Sequence, residues 1–278
     1  MIQLTPDNYY STEANLAYYS VSQIKQFLDC PARAMAELRG EYEREKTTSL
    51  LVGGYVDAYF SGDINLFVLL NPQLFTLKGE IRAEYKQAHK IIDCIKDDPL
   101  AVMLMDGERQ NIVTAEIGGF PFKCKLDFLL NREQFAKITE QYPGIVYEES
   151  ALFADGAIVD LKIVKDFEDK YAPEQGRISW VDYWMYDLQM AVYREAVRKQ
   201  TGKTLPCYIL AFTKEKVPDR AIKQVPSHAM DIALELMLDK LPEIAAIKSG
   251  KVEPERCGRC DYCKATKRLT GATWFDLE

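Results

Sequence analysis

Residues 156–164 read Gly-Ala-Ile-Val-Asp-Leu-Lys-Ile-Val, a short apolar strand interrupted by two charges, Asp160 and Lys162. Charge inside a strand is costly unless it is paired or used. The two-residue period of a strand puts Asp160 and Lys162 on one face, roughly 6–7 Å apart along it. A carboxylate can hold a divalent metal there while the ammonium orients or deprotonates an attacking water. A surface ion pair has the same local pattern, so the neighbouring segments must decide.

Upstream, residues 109–131 show β-rich runs on either side of Gly-Gly-Phe-Pro, a hairpin signal. Its second arm contains Lys-Cys-Lys-Leu-Asp-Phe-Leu-Leu, where apolar residues bracket the lone carboxylate of Asp127. Two acids on adjacent strands, Asp127 and Asp160, can share one metal. Glu116 also lies near the hairpin, at an offset that argues against joining them. Downstream, residues 179–202 read as one long amphipathic helix closing at Gly202. Gln189 and Tyr193 are four residues apart on it and share a face, as a plain polar stripe would also do.

The remaining elements follow the same rules. Residues 18–41 give a helix with Ser22 as N-cap, divided in two by Pro31. Residues 47–63 form another helix, in which Gly53 and Gly54 allow close approach of a second backbone. Residues 80–105 are helical with a break at Pro99, 206–215 form a strand, and 227–250 form a last long helix. The order is helices, hairpin, strand, helix, strand, helix and a cysteine loop. It describes one α/β unit over 1–278: a helical part to 105, a core over 106–250, and a cysteine loop and tail over 251–278.

Composition sets the class. The 278 residues are 47% hydrophobic and 28% charged, as in an ordinary globular protein. No apolar run is long enough for a membrane span, and the N-terminus lacks a secretory pattern, so a cytoplasmic location is expected. A net charge of −7 argues against a generally basic coat but leaves room for a local basic groove. In a reducing compartment the seven cysteines are ligands or buried thiols. Cys94, Cys124 and Cys207 stand alone in apolar surroundings and read as core. Cys257, Cys260 and Cys263 are three thiols in seven residues, and zinc and four-iron clusters both call for four ligands.

Together these residues resemble the PD-(D/E)xK nuclease superfamily. Asp127 matches the first motif aspartate, with Leu126 where proline is frequent. Asp160-Leu161-Lys162 matches the second motif, and Gln189 to Tyr193 matches the Q-x3-Y helix of the RecB-like and RecE-like branch. The resemblance implies a restriction-endonuclease-like core, a mixed central sheet flanked by helices. It implies Mg²⁺ or Mn²⁺ held by Asp127, Asp160 and the Leu161 carbonyl, with Lys162 at the water and Gln189 and Tyr193 in support. Asp57 occupies the position where that branch often has histidine, and is a candidate neighbour of the metal.

The stretch Ser22 to Pro31 further resembles an early phrase of AddB-type and CRISPR-adaptation nucleases. It supplies Cys30 as fourth partner to Cys257, Cys260 and Cys263. In that family the set holds a 4Fe–4S cluster, and the same four thiolates could hold zinc. The last gap is shorter here than the family's. The resemblance is strongest to RecE-type phage and prophage exonucleases paired with a single-strand annealing protein. The implied activity is metal-dependent digestion of DNA from duplex ends for recombination. A CRISPR-adaptation or repair nuclease of the same fold, and a non-catalytic cysteine-cluster DNA-binding module, are the alternatives.

Overall fold

The structure is a computed structural model that describes residues 2–173, 175–269 and 271; the end of the tail expected at 251–278 lies outside them. The described residues form seven strands: β1 (Glu108–Ile117), β2 (Phe120–Asn131), β3 (Gly156–Val164), β4 (Lys170–Ala172), β5 (Gly176–Ile178), β6 (Cys207–Thr213) and β7 (Arg220–Gln224). Five of them form a mixed sheet of order β1-β2-β3-β6-β7, and β4-β5 is a separate small hairpin. Within the sheet only β3 and β6 run parallel. The expected β1–β2 hairpin turns on Gly118 and Gly119, at φ of 60° and 81°, the left-handed region that tight hairpins require.

The helices are α1 (Thr12–Ala17), α2 (Val21–Asp29), α3 (Pro31–Leu38), α4 (Thr48–Ser61), α5 (Ile64–Leu70), α6 (Gln87–Lys96), α7 (Pro99–Leu104), α8 (Arg132–Gln141), α9 (Trp180–Tyr183), α10 (Tyr186–Thr201), α11 (Ser227–Lys248) and α12 (Asp261–Ala265). They cover both faces of the sheet, and β3 divides its side chains between them. Ile158 and Val164 join a core with α2, α3, α10 and α11. Ala157, Val159 and Leu161 join a second core with α4, α6, α7 and α8. A sheet buried on both faces is why its strands read as nearly continuous apolar runs. Gly53 on α4 faces β3, where an added Cβ would stand 3.8 Å from that of Ile163, while Gly54 faces the Phe67 ring.

On β2 the alternation changes phase at Asp127. Phe122, Cys124 and Leu126 face the α10 side, whereas Phe128 and Leu130 face the α4 side. The opposite position on β1, Gln110, has φ of 51°, an uncommon conformation for a non-glycine residue. The β2–β3 ladder also stops here. It runs from Asn131↔Gly156 to Phe128↔Val159, and the next pair in register would be Asp127 and Asp160. Farther along, the free edge of β2 is taken by Tyr19. Its N–H donates to the Pro121 carbonyl at 2.8 Å, and its carbonyl accepts from the Lys123 N–H at 2.8 Å. Between Asp127 and Lys123 the two central strands are splayed, and α2 starts at that opening.

Several elements depart from the expectations. Ser20, not Ser22, caps α2, accepting the Gln23 N–H at 3.4 Å. The helix expected over 179–202 is broken into α9 and α10 by Met185, at φ of 50°. Helix α8, with its Asn131–Gln134 capping box, and the strands β4, β5 and β7 were not anticipated.

Gly156 is required where β3 leaves its loop. Its φ is 141°, and an added Cβ would fall 2.1 Å from the Leu130 carbonyl oxygen. Gly156→Ala should therefore lower the unfolding free energy by about 2 kcal/mol or more, since strain and a backbone clash add. Urea denaturation measures this, and a wild-type midpoint would refute the close approach.

Candidate active site and metal centre

Asp127 and Asp160 face each other at the end of the β2–β3 ladder, and Asp127 takes over the ladder's next donor. Its Oδ2 accepts the backbone N–H of Leu161 at 3.0 Å. Asp160 is 1% exposed. Its Oδ1 accepts from Nε2 of Gln189 at 2.8 Å, and the same amide nitrogen lies 3.2 Å from the Tyr193 hydroxyl. Its Oδ2 is ion-paired with Lys162 yet has no hydrogen bond of acceptable geometry among the described residues. The structure therefore brings Asp127, Asp160, Leu161, Lys162, Gln189 and Tyr193 together. Glu116 pairs with Pro121 beside the hairpin turn, six residues from Asp127 and so about 20 Å along the strand.

The carboxylates repel. Burial first, then the charge of Asp160, push the Asp127 carboxyl well above the usual carboxylate range. Burial opposes the Lys162 ammonium, but Asp160 and then Asp127 outweigh it and hold the group above the ordinary lysine range. Asp57, exposed on α4 at the edge of the cleft, is raised by partial desolvation and by Asp160, with Lys162 and Lys125 acting against the rise. It thus feels the site's field. Among the described residues only the cysteines form a group of three or more metal-competent side chains within 4.8 Å, so Asp57 stands outside the Asp127–Asp160 pair.

Sequence reasoning missed Lys25, on α2. Its Nζ donates to the Trp184 carbonyl at 2.8 Å and lies 5.1 Å from the centre of the Tyr186 ring. Lys162 Nζ lies 5.2 Å from the same ring centre. Burial, then Lys162, bring the Lys25 ammonium down to about 7, while Asp160 and Asp187 act in its favour. Lys25 occupies an exposed-looking position in a helix phrase, and no sequence signal links it to the Asp-x-Lys strand.

By donor chemistry Asp127 and Asp160 suit a hard divalent cation. Both offer carboxylate oxygen, the donor Mg²⁺ and Mn²⁺ prefer. Two buried carboxylates that share one lysine, with the carboxyl of Asp127 raised, are the marks of a site short of positive charge.

The expected fourth cysteine is in place. The Sγ of Cys30 lies 3.6 Å from that of Cys263 and 3.8 Å from that of Cys260, and Cys257 and Cys263 are 4.0 Å apart. Backbone N–H groups of Cys260 and Arg259 lower the Cys257 thiol to about 6, as suits a thiolate ligand. A Zn–S bond of about 2.3 Å places the sulfurs of a regular tetrahedron about 3.8 Å apart. An iron–sulfur cage binds each thiolate to a different outward-facing iron and needs a wider set.

The repulsion has a measurable sign. A carboxyl raised on folding costs nothing below its unfolded value and costs more stability as pH rises from there through its folded value. At neutral pH in EDTA, Asp127→Asn should therefore raise the thermal midpoint. With Mn²⁺ at about a hundredfold excess over its Kd, wild type should gain about 2.7 kcal/mol and the variant much less. Calorimetry with and without Mn²⁺ checks both, and an equal gain would remove Asp127 from the metal site.

Comparison with known proteins agrees with this fold. No curated protein matches the chain. A crystal structure of an Eubacterium rectale protein, provisionally named an exonuclease, superposes with a TM-score of 0.86 at 38% identity, covering 99% of this chain and 97% of that one. The family model described as a PDDEXK-like domain of unknown function (DUF3799) matches residues 20–140 and 150–266. With its mixed sheet flanked by helices and its Asp-x-Lys strand facing Asp127, the chain belongs to this PDDEXK-like, DUF3799 family.

Proposed function

We propose that the protein is a metal-dependent deoxyribonuclease that hydrolyses phosphodiester bonds from the ends of linear duplex. The observation carrying this is the pairing of Asp127 with Asp160 across splayed strands, with Lys162 on the same face. Asp127, Asp160 and the Leu161 carbonyl would hold Mg²⁺ or Mn²⁺. When bound, such an ion polarises a phosphoryl oxygen and makes water a better nucleophile. Lys162 aims its ammonium at the developing charge, the kind of preorganised contact that dominates many rate enhancements. Gln189, steadied by Tyr193, fixes the Asp160 carboxylate through Oδ1 and leaves Oδ2 to Lys162 and the metal.

Digestion from ends is supported by the provisional name of the Eubacterium rectale relative and by the RecE-type resemblance of the motifs. Phage or prophage recombination, with a single-strand annealing partner to receive the exposed strand, is the setting that activity serves. Cys30, Cys257, Cys260 and Cys263 form a structural staple with no open position. Their sulfur separations favour one tetrahedral zinc over the iron–sulfur cage.

Asp160→Ala and Lys162→Ala should each slow digestion of end-labelled linear duplex in Mn²⁺ by ~100-fold or more while keeping the fold. Near-normal turnover in either folded variant would end the catalytic assignment, and equal digestion of a covalently closed circle would end the end-directed mode. For the staple, Cys30→Ser should lose the bound metal as fully as Cys260→Ser, with Cys94→Ser unchanged. Elemental analysis of anaerobically purified protein should find one zinc per chain and no colour. Brown protein with stoichiometric iron would reverse the choice of metal, and full metal retention in Cys30→Ser would refute the staple.

A further inference from the structure

Lys25 reaches the active site from outside the core motifs. The Tyr19 bridge to β2 sets the start of α2 at the opening between β2 and β3, and Lys25 lies one turn into that helix. Its ammonium and that of Lys162 approach the same aromatic ring, Tyr186, at nearly equal distances. Lys162 has Asp160 as its partner. Among the described residues Lys25 has no ion pair; its hydrogen bond goes to the neutral carbonyl of Trp184. An ammonium has three donors, so this bond leaves two.

The Trp184 carbonyl stands at the break between α9 and α10, where Met185 adopts φ of 50°. Left-handed backbone in a non-glycine residue is strained and persists where surrounding contacts enforce it. The break interrupts the helix in front of Tyr186, Gln189 and Tyr193, so the strained turn, the shared ring and the second lysine form one wall of the cleft. A lysine placed beside another lysine without its own carboxylate is unfavourable by like-charge repulsion and desolvation. An arriving anion relieves both.

We propose that Lys25 is a second phosphate-binding cation of the cleft, taking a backbone phosphate of the DNA strand that is cut at Asp127, Asp160 and Lys162. This rests on the nuclease reading. Lys162 serves the scissile group, and Lys25 holds the strand beside it, both ammoniums lying near the Tyr186 ring. Its contribution is to ground-state and transition-state binding alike, so it shows mainly in KM.

The test uses full-length Lys25→Met, which keeps an unbranched chain against the Tyr186 ring, and Lys25→Arg, which keeps the charge. Steady-state cleavage in Mn²⁺ is measured on linear duplexes with 5′-phosphate and 5′-hydroxyl ends. Binding is followed by fluorescence anisotropy in Ca²⁺ across a range of salt. Lys25→Met should raise KM at least tenfold with a smaller change in kcat. It should flatten the slope of log K against log salt by roughly 0.9, the release expected for one lost phosphate contact to duplex. Lys25→Arg should recover most of both. A loss on both kinds of end assigns an internal phosphate, as proposed; a loss confined to 5′-phosphorylated ends overturns that in favour of a terminal phosphate. If Lys25→Met lowers only the thermal midpoint, with wild-type KM and salt slope, Lys25 merely ties the helix break and the proposal fails. Wild-type protein that binds DNA with this slope but never cleaves it would overturn the nuclease reading and leave the phosphate contact standing. Wild type that does neither overturns both.

Discussion

Two carboxylates that would be directly opposed in an antiparallel ladder cannot both sit there ionised without separation or a cation between them. Asp127 and Asp160 are that pair, and the β2–β3 ladder ends one residue short of it. Like charges directly opposed on a sheet destabilise pairing, and burial sharpens the penalty by weakening solvent screening. The strands part, and the cleft is the result. What would be a ladder hydrogen bond becomes the Leu161 N–H to Asp127 bond, so that donor keeps a partner at the opening. Gln189 and Lys162 then divide the two oxygens of Asp160 between them.

The N-terminal segment holds this opening from the side. Buried Lys123, on β2, donates to the Tyr9 carbonyl and to Asn15 Oδ1. Lys248, at the end of α11, donates to the Tyr18 carbonyl at 2.6 Å and to Gln23 Oε1 at 3.2 Å. These bonds clasp the chain on both sides of Tyr19, so α2 leaves the sheet in a fixed direction. Cys30 caps the far end of α2 and meets the C-terminal cysteines. One nine-residue helix is thus tied to the sheet at its start and to the four-cysteine group at its end, with Lys25 between. Closing so long a loop is where cross-link models place the largest stabilisation, and here the stabilised element also borders the cleft.

Much of this was legible in the residues. A strand cannot hide Asp160 and Lys162 cheaply, and the four-residue step from Gln189 to Tyr193 fixed a shared helix face. Cys30 became readable through its Ser-to-Pro phrase. What escaped reading depends on the third dimension. The split between α9 and α10 has no glycine or proline to mark it, because tertiary contacts hold Met185 against its backbone preference. The phase change on β2 is invisible in an alternating pattern whose faces are both buried. β7 is a short edge strand with mixed polarity, exposed at Arg220 and Lys223 and half-buried at its other positions, and lacks the apolar run that revealed β3 and β6. The separation of the four sulfurs, which bears on zinc against iron–sulfur, exists only once the two ends of the chain meet.

Manganese scatters anomalously, and crystals grown with Mn²⁺ would locate it without reference to activity. A shared metal between splayed strands predicts an anomalous peak within coordination distance of carboxylate oxygens from both Asp127 and Asp160, about 2.0–2.3 Å away for a hard divalent ion. Ordered manganese bound elsewhere, with those two carboxylates free of it at saturating Mn²⁺, would contradict the site.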